Sequence, residues 1–260
     1  VLYKLRELML KNIDELSWLV SHENGKIFSE AKAEVEKGIE CVEYGCALPN
    51  IAAGNQLEVS RGVACEVVYA PLGVVAGVTP FNFPLMVPLW MLPQALVGGN
   101  AFVMKPSERV PLSTMRLAEL LRQAGLPDGV FNLVQGARAV GERLSVAPGV
   151  DGLLFTGSYQ VGTAIQQANL HNPGKLLALE LGGKNASLVL EDADLDKAAE
   201  LAVAGATKNS GQRCTAVKRI IVVDKVADAF VERVLARAKK LKAGDPLDPE
   251  TDVGTVIHER

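Results

Sequence analysis

The sequence predicts an α/β fold: a parallel sheet covered by helices on both faces, followed by the start of a second α/β unit. Two observations lead there. Between residues 73 and 183, five short apolar runs alternate with stretches of helical spacing, as parallel strands joined by crossover helices do. The chain is also large enough: 260 residues, 48% hydrophobic, make one large or two ordinary domains with a sizeable core.

Taken in order, the first fifty residues read as two helices. Leu2, Leu5, Met9, Ile13 and Leu16 recur at helical intervals and Gly25 closes the run; EAKAEVEKGIECVEYGCALP repeats the pattern, with Gly45 and Pro49 near its end. LEVSRGVACEVVYAPLG, 57–73, alternates and is rich in Val, which predicts a hairpin or an extended arm. Then come a strand in GVVAGVTP, a helix over 84–97, a strand over 101–106 and a helix over 112–125. A strand over 130–136, a short helix in ARAVGERLSVA, a strand over 152–158, a helix in YQVGTAIQQANL and a strand over 175–183 complete the alternation. Beyond 184 the pattern gives a helix at about 193–209, a turn bearing Cys214, a strand in RIIVV and a helix from Ala227 to about Lys242; loop character follows, and no internal repeat is present. In parallel sheets ligands bind beyond the carboxyl ends of the strands, which points at TPFN, KPSE, FTGS and ELGG.

Composition removes several functions. The formal charge is −3 and Lys and Arg form no basic tract, so nucleic acid is not an expected partner. The most apolar stretch, 84–99, holds three prolines and a Gln and is short for a membrane span. Cys41, Cys46, Cys65 and Cys214 form no C-x-x-C pair; neither a metal site nor a disulfide scaffold is expected, and a cytoplasmic, reducing setting fits. The first residue is Val rather than Met and no signal peptide opens the chain, so a preceding segment is expected.

Cys214 lies in NSGQRCTAVKR, between a glycine-bearing polar turn and an apolar run. Gly211 lets the backbone fold around the thiol, and Arg213, Lys218 and Arg219 are near enough in sequence to favour a thiolate. A buried structural cysteine is an equal reading of the same residues. Glu180 ends an apolar strand, where desolvation would raise its pKa toward that of a general base; the alternative is a strand-end carboxylate in solvent. Asn82 offers a side-chain NH₂ or simply satisfies its own turn. Lys105, Ser107, Glu108 and Arg109 form a charged loop after a strand. Gly157, Ser158 and Gly162 open a helix whose N-terminus suits a phosphate, though an ordinary N-cap serine reads the same way.

TPFNFP, MKPSE, FTGSYQVG, LELGGKN and GQRC, in this order, resemble the signatures of the aldehyde dehydrogenase superfamily over essentially the whole chain. The resemblance implies a Rossmann-like NAD-binding domain over 1–56 and 71–182. It implies a bridging, oligomer-forming hairpin over 57–70 and a partial catalytic domain over 183–260. It implies that Cys214 adds to an aldehyde and that Asn82 with the Cys214 N–H holds the oxyanion. Glu180 would activate the water that hydrolyses the thioester. Thr79, Phe81, Lys105, Ser107, Glu108, Arg109, Gly157, Ser158, Gly162 and Gly182 would bind the cofactor. Glu108 would accept from the ribose hydroxyls and repel a 2′-phosphate, which favours NAD over NADP.

The stretch from PFNFP to KPSERVP is similar to the methylmalonate-semialdehyde dehydrogenase branch, which passes its acyl group to coenzyme A. That branch lacks a Glu at the place of Glu180, so its presence favours water. GQRCTAVKR and ELGGKNASLVLEDADLD look more like hydrolytic branches acting on semialdehydes or phosphorylated aldehydes, in which Arg213 would help hold a substrate anion. Family chains are longer and carry a later E-x-F-G-P motif and a C-terminal strand that this sequence lacks. Full length, the resemblance implies a homodimer or homotetramer; the 260 residues alone are expected to be poorly stable, with an unfinished sheet edge. Two rivals stand: an inactive NAD-binding fragment, and a cysteine hydrolase, for which His22, His171 and His258 supply no recognisable base motif.

Overall fold

The computed structural model describes residues 1–259, and the α/β architecture is as expected. Three helices rather than two open the chain: α1 (Leu2–Lys11), α2 (Ile13–Asn24) and α3 (Phe28–Ile51). The break falls at Asn12, at φ −110 and ψ 23. Its side-chain amide donates to the Leu8 carbonyl at 2.7 Å and so competes with the backbone for the last turn of α1. The apolar spacing hides this break because Met9 and Ile13 stay in phase across it.

A hairpin follows, β1 (Asn55–Ser60) against β2 (Val63–Val67), antiparallel, with a register shift between Glu58 and Ser60. Every residue of both strands is exposed, Leu57 at 62%.

The central sheet holds β3 (Val74–Val78), β4 (Ala101–Lys105), β5 (Phe131–Leu133), β6 (Gly152–Gly157) and β7 (Leu176–Leu181). Its order is β5-β4-β3-β6-β7, and all neighbours are parallel. The chain winds from β3 outward to β5 and then returns to the other side of β3 as β6. The switch point therefore lies between β3 and β6, where such sheets open a crevice. The crossovers are α4 (Met86–Val97), α5 (Leu112–Gln123), α6 (Arg138–Ser145) and α7 (Tyr159–Ala168). One core joins α1, α2 and α3 to α4, α5 and the strands through Leu5, Met9, Leu16, Val35, Leu89, Phe102 and Leu120; a smaller one, around Leu153, Phe155 and Ile165, lies under α7. β7 is an edge strand. Leu177, Leu179 and Leu181 face the second core, whereas Leu176, Ala178 and Glu180 are exposed.

The second unit is a short β–α–β piece. β8 (Ala186–Val189), which the sequence reading did not single out, pairs in parallel with β9 (Arg219–Val222). α8 (Leu195–Thr207) connects them and α9 (Asp224–Ala238) follows. Asp194 caps α8 by accepting from the Asp196 and Lys197 N–H groups. The unit's core is small: Val189, Ala199, Ala202 and Phe230. No helix among the described residues is long and apolar enough to cross a membrane.

Candidate active site

The loop after β3 begins at Thr79, buried, whose N–H donates to the Lys105 carbonyl at 3.1 Å. It is held from below by three buried polar side chains. Asn24 donates to the Phe81 carbonyl at 3.0 Å. The Lys26 ammonium donates to the Asn82 carbonyl at 2.8 Å and to a Glu34 carboxylate oxygen at 2.6 Å. The other Glu34 oxygen accepts from the Leu85 and Met86 N–H groups at 2.9 and 3.1 Å. A carboxylate thus sits at the start of α4, where N–H groups lack helical partners. Lys26 and Glu34 are 1% and 3% exposed. Burial pushes the Lys26 ammonium below its ordinary pKa, and the Glu34 charge beside it opposes that shift.

The loop that carries Cys214 meets this one. Asn82 turns its side-chain amide onto the Gln212 carbonyl at 2.8 Å. Asn209 donates its own amide to the Asn82 carbonyl at 3.0 Å and to the Gln212 carbonyl at 3.3 Å. Before the cysteine the backbone makes a left-handed turn: Asn209, Ser210 and Gly211 have φ of 55, 53 and 73. Only glycine adopts this region without cost. Cys214 is half-buried, and its carbonyl accepts from the Asn185 amide at 2.5 Å; the same amide reaches the Ala216 carbonyl at 3.2 Å. Asn185 ends the LELGGKN motif, and its partners are backbone atoms that a motif does not display.

Two cations expected to favour the thiolate are committed elsewhere. Lys218 donates to the Arg213 carbonyl at 2.9 Å, and Arg219 grips the Lys184 carbonyl at 3.0 and 2.7 Å. Of the other thiols, Cys65 is exposed on the hairpin, while Cys41 and Cys46 are half-buried in α3, where burial pushes both pKa values up.

Of the two readings of Glu180, desolvated base or strand-end carboxylate in solvent, the structure shows the second: it is exposed, on the face of β7 that turns away from the second core. It lines an open cleft of ≈ 610 Å³ with Trp90, Gln94, Thr156 and Ala178. The Thr156 hydroxyl in that cleft is buried and has no hydrogen-bond partner. Beyond β7, a Cβ on Gly182 would meet nothing, and one on Gly183 would lie 3.7 Å from the Cys214 carbonyl oxygen.

The other predicted residues gather at the carboxyl edge of the sheet, because Thr79, Lys105 and Gly157 end or follow the adjacent strands β3, β4 and β6. Lys105 is buried, donates to the Pro106 carbonyl at 2.6 Å and lies 3.7 Å from a Glu108 oxygen. Burial lowers its pKa, and Glu108 works the other way. Glu108 and Arg109 are exposed; Ser107 accepts from the Arg109 N–H at 3.3 Å. Ser158 does cap α7, accepting from Val161 N–H at 3.4 Å. A Cβ on Gly162 would come within 2.6 Å of Leu181, so glycine there lets α7 lie against β7. An exposed carboxylate beside an ammonium, with a helix N-terminus two strands away, is a donor and acceptor set that suits a ribose and a pyrophosphate.

A second cleft, ≈ 740 Å³, runs between α3 and α8 and is lined by Lys26, Glu34, Lys37, Phe83, Met86 and Arg213 among others. Arg213 is half-buried and makes no ion pair among the described residues. Its guanidinium lies 6.0 Å from the Phe83 ring centroid, and its Nε is buried without a partner.

Comparison with known proteins gives concordant results. The model of the aldehyde dehydrogenase family matches residues 1–260. Malonate-semialdehyde dehydrogenase 2 of Geobacillus kaustophilus (strain HTA426) is 43% identical over 260 residues, 100% of this chain and 54% of that protein. The crystal structure of an NAD-dependent aldehyde dehydrogenase from Sinorhizobium meliloti has a TM-score of 0.95 at 36% identity, covering 99% of this chain and 52% of that one. PnpE in complex with nicotinamide adenine dinucleotide has a TM-score of 0.94 at 38% identity, covering 99% of this chain and 53% of that one. The chain thus spans about half the length of the relatives it matches.

Proposed function

This chain belongs to the aldehyde dehydrogenase family, and from that premise we propose that its protein oxidises an aldehyde bearing a carboxylate to the acid, using NAD. The observation that carries the reading is the contact of the Asn82 amide with the Gln212 carbonyl, two residues before Cys214. It joins a loop from the nucleotide sheet to the loop that bears the nucleophile. The division into a nucleotide-binding part (1–56 and 71–182), a hairpin (57–70) and a catalytic part (183–260) belongs to this proposal, as do a cytoplasmic location and assembly into a homo-oligomer.

The Cys214 sulfur adds to the aldehyde carbon and makes it tetrahedral. The second Asn82 N–H and the Cys214 N–H stabilise the developing oxyanion. Bound NAD would supply the hydride acceptor. Lys105 and Glu108 would hold its adenosine ribose, with Ser107 and Arg109 alongside. The start of α7 at Gly157 and Ser158 would take the pyrophosphate, while Gly162 lets α7 pack against β7 and Thr79, Phe81 and Gly182 shape the crevice. Collapse of the adduct, its hydride passing to that acceptor, would leave a thioester on Cys214. Glu180 takes a proton from water as the water attacks that thioester, and the thiolate leaves. Arg213 places an unpaired guanidinium in the α3–α8 cleft, which suits a substrate carboxylate. The malonate-semialdehyde names of the relatives agree with a substrate of that class.

A second reading, with coenzyme A as acyl acceptor, is favoured by the likeness of the PFNFP-to-KPSERVP stretch to a coenzyme A-using branch. One experiment tests both: NADH formation from a panel of semialdehydes, with and without coenzyme A, by wild type and Cys214→Ser. The expected result is acid and NADH without coenzyme A, and a loss of at least ~10³-fold in the variant, since the residues of a covalent mechanism act as a unit. Full activity of Cys214→Ser overturns the reading. Strict dependence on coenzyme A decides for the second one.

A further inference from the structure

Between Thr207 and Cys214 the backbone passes through three consecutive residues of positive φ, and two of them, Asn209 and Ser210, carry side chains. Such a turn persists only where its surroundings over-determine it. Helix propensity does not hold it, and the second unit's core is small and does not include it. The ties are polar, and the leading one comes from α3. The Glu30 carboxylate accepts the Asn209 N–H with both oxygens, each at 3.0 Å. Asn209 is 3% exposed, so without Glu30 that N–H would be buried and unpaired. The Ser210 hydroxyl donates to the Gly254 carbonyl at 2.9 Å, and the Ile257 N–H donates to the Gln212 side-chain oxygen at 2.9 Å. Glu30 thus ties the turn to α3, the loop at 254–257 ties it through Ser210 and Gln212, and the turn so held leads into Gln212, Arg213 and Cys214.

We propose that Glu30 is a positioning residue for the nucleophile, holding the left-handed turn at 209–211 so that the Cys214 sulfur and N–H face the Asn82 amide. The inference rests on the reading of Cys214 as nucleophile. It assigns to the first two turns of α3 a task no motif carries: Glu34, paired with Lys26 just before the helix, fixes the Asn82 loop, and Glu30, one helical turn before Glu34, fixes the Cys214 loop. Both halves of the oxyanion pocket are thereby referenced to one helix.

The test uses the full-length protein with Glu30→Ala, which removes both acceptors, and Glu30→Gln, which keeps one. Single-turnover NADH formation gives a rate constant and an amplitude; iodoacetamide labelling of Cys214, read by mass spectrometry, reports the loop without reference to turnover. A displacement on the order of 1 Å costs about 100-fold in rate, so Glu30→Ala is expected to lower the single-turnover rate constant by about ten-fold or more. KM for NAD should stay within about two-fold, Glu30→Gln should recover most of the rate, and Glu30→Ala should label Cys214 at least about five-fold faster, as the half-buried thiol becomes accessible. A purely structural role would lower the amplitude and leave the rate constant alone; that result, or a rate constant and labelling within about two-fold of wild type, overturns the inference. If the wild type forms no NADH from any aldehyde, the functional reading fails, and the labelling comparison alone then decides whether Glu30 holds the loop.

Discussion

The two parallel sheets of this chain follow the same β–α–β logic and are covered very differently. In the five-stranded sheet the middle of β3 and four of the six residues of β6 are buried. In the two-stranded sheet Leu188, Ile220 and Ile221 are 69%, 37% and 53% exposed. The first sheet is specified by packing. The second hangs on a few apolar residues, and the loop it carries, with Cys214, is oriented by hydrogen bonds that reach across from the first unit. Within this chain, the Cys214 loop is therefore oriented by polar ties, and the larger apolar core belongs to the first unit.

Three measurements sharpen or break that contrast. The largest effect is expected from Lys26→Met. It strands Glu34 as a buried charge, and breaking a buried pair in this way costs about 3–5 kcal/mol. Chemical denaturation followed by circular dichroism should register that loss. A loss under ~1 kcal/mol would mean that packing, not the polar bracket, secures the Asn82 loop. Next is Asp194→Ala, which removes the cap of α8 and should cost about 1 kcal/mol. Amide hydrogen exchange should place that loss in α8 and β8, leaving β3 and β6 protected; an equal loss in both sheets would show that the two units open together. The smallest is a pH effect in the well-packed region. Glu23 accepts from the Leu112 and Ser113 N–H groups at the start of α5, and burial raises its pKa above 4.5 while those hydrogen bonds oppose the rise. The folded state then holds a proton that the unfolded state has released, so stability falls as pH rises from 4.5 through the raised value. Glu23→Gln should flatten that slope in denaturation series run across mildly acid pH, and an unchanged slope would assign it to another group.

Much of this was legible in the sequence. The alternation of apolar runs and helical spacing located all five strands of the central sheet, and five ordered motifs named the loops that meet at its carboxyl edge. What was not legible divides by cause. β8 is four residues long and follows directly on LELGGKN, so its alternation had no room to declare itself. The break at Asn12 is made by a side chain competing for a backbone carbonyl, which leaves the apolar period intact. The exposure of Glu180 depends on which face of β7 meets the second core, and composition does not say which face of LLALEL is covered. Lys26, Glu30, Glu34 and Asn185 escaped because each acts on backbone atoms of a distant loop, and a sequence does not announce which main-chain groups will need partners.

One contact joins two distant stretches of the chain. Gly25 closes α2 at φ 92, and its carbonyl accepts from the Thr255 N–H at 2.8 Å, while a Cβ on Gly254 would collide with that same carbonyl. Two stretches of main chain more than two hundred residues apart thus touch with no room for a side chain between them. In folding terms this is a contact of very high sequence separation, and its closure carries the entropy of a loop of more than two hundred residues. The same loop carries the Gly254 carbonyl that accepts from Ser210, so the support of the turn before Cys214 is tied to that long-range closure.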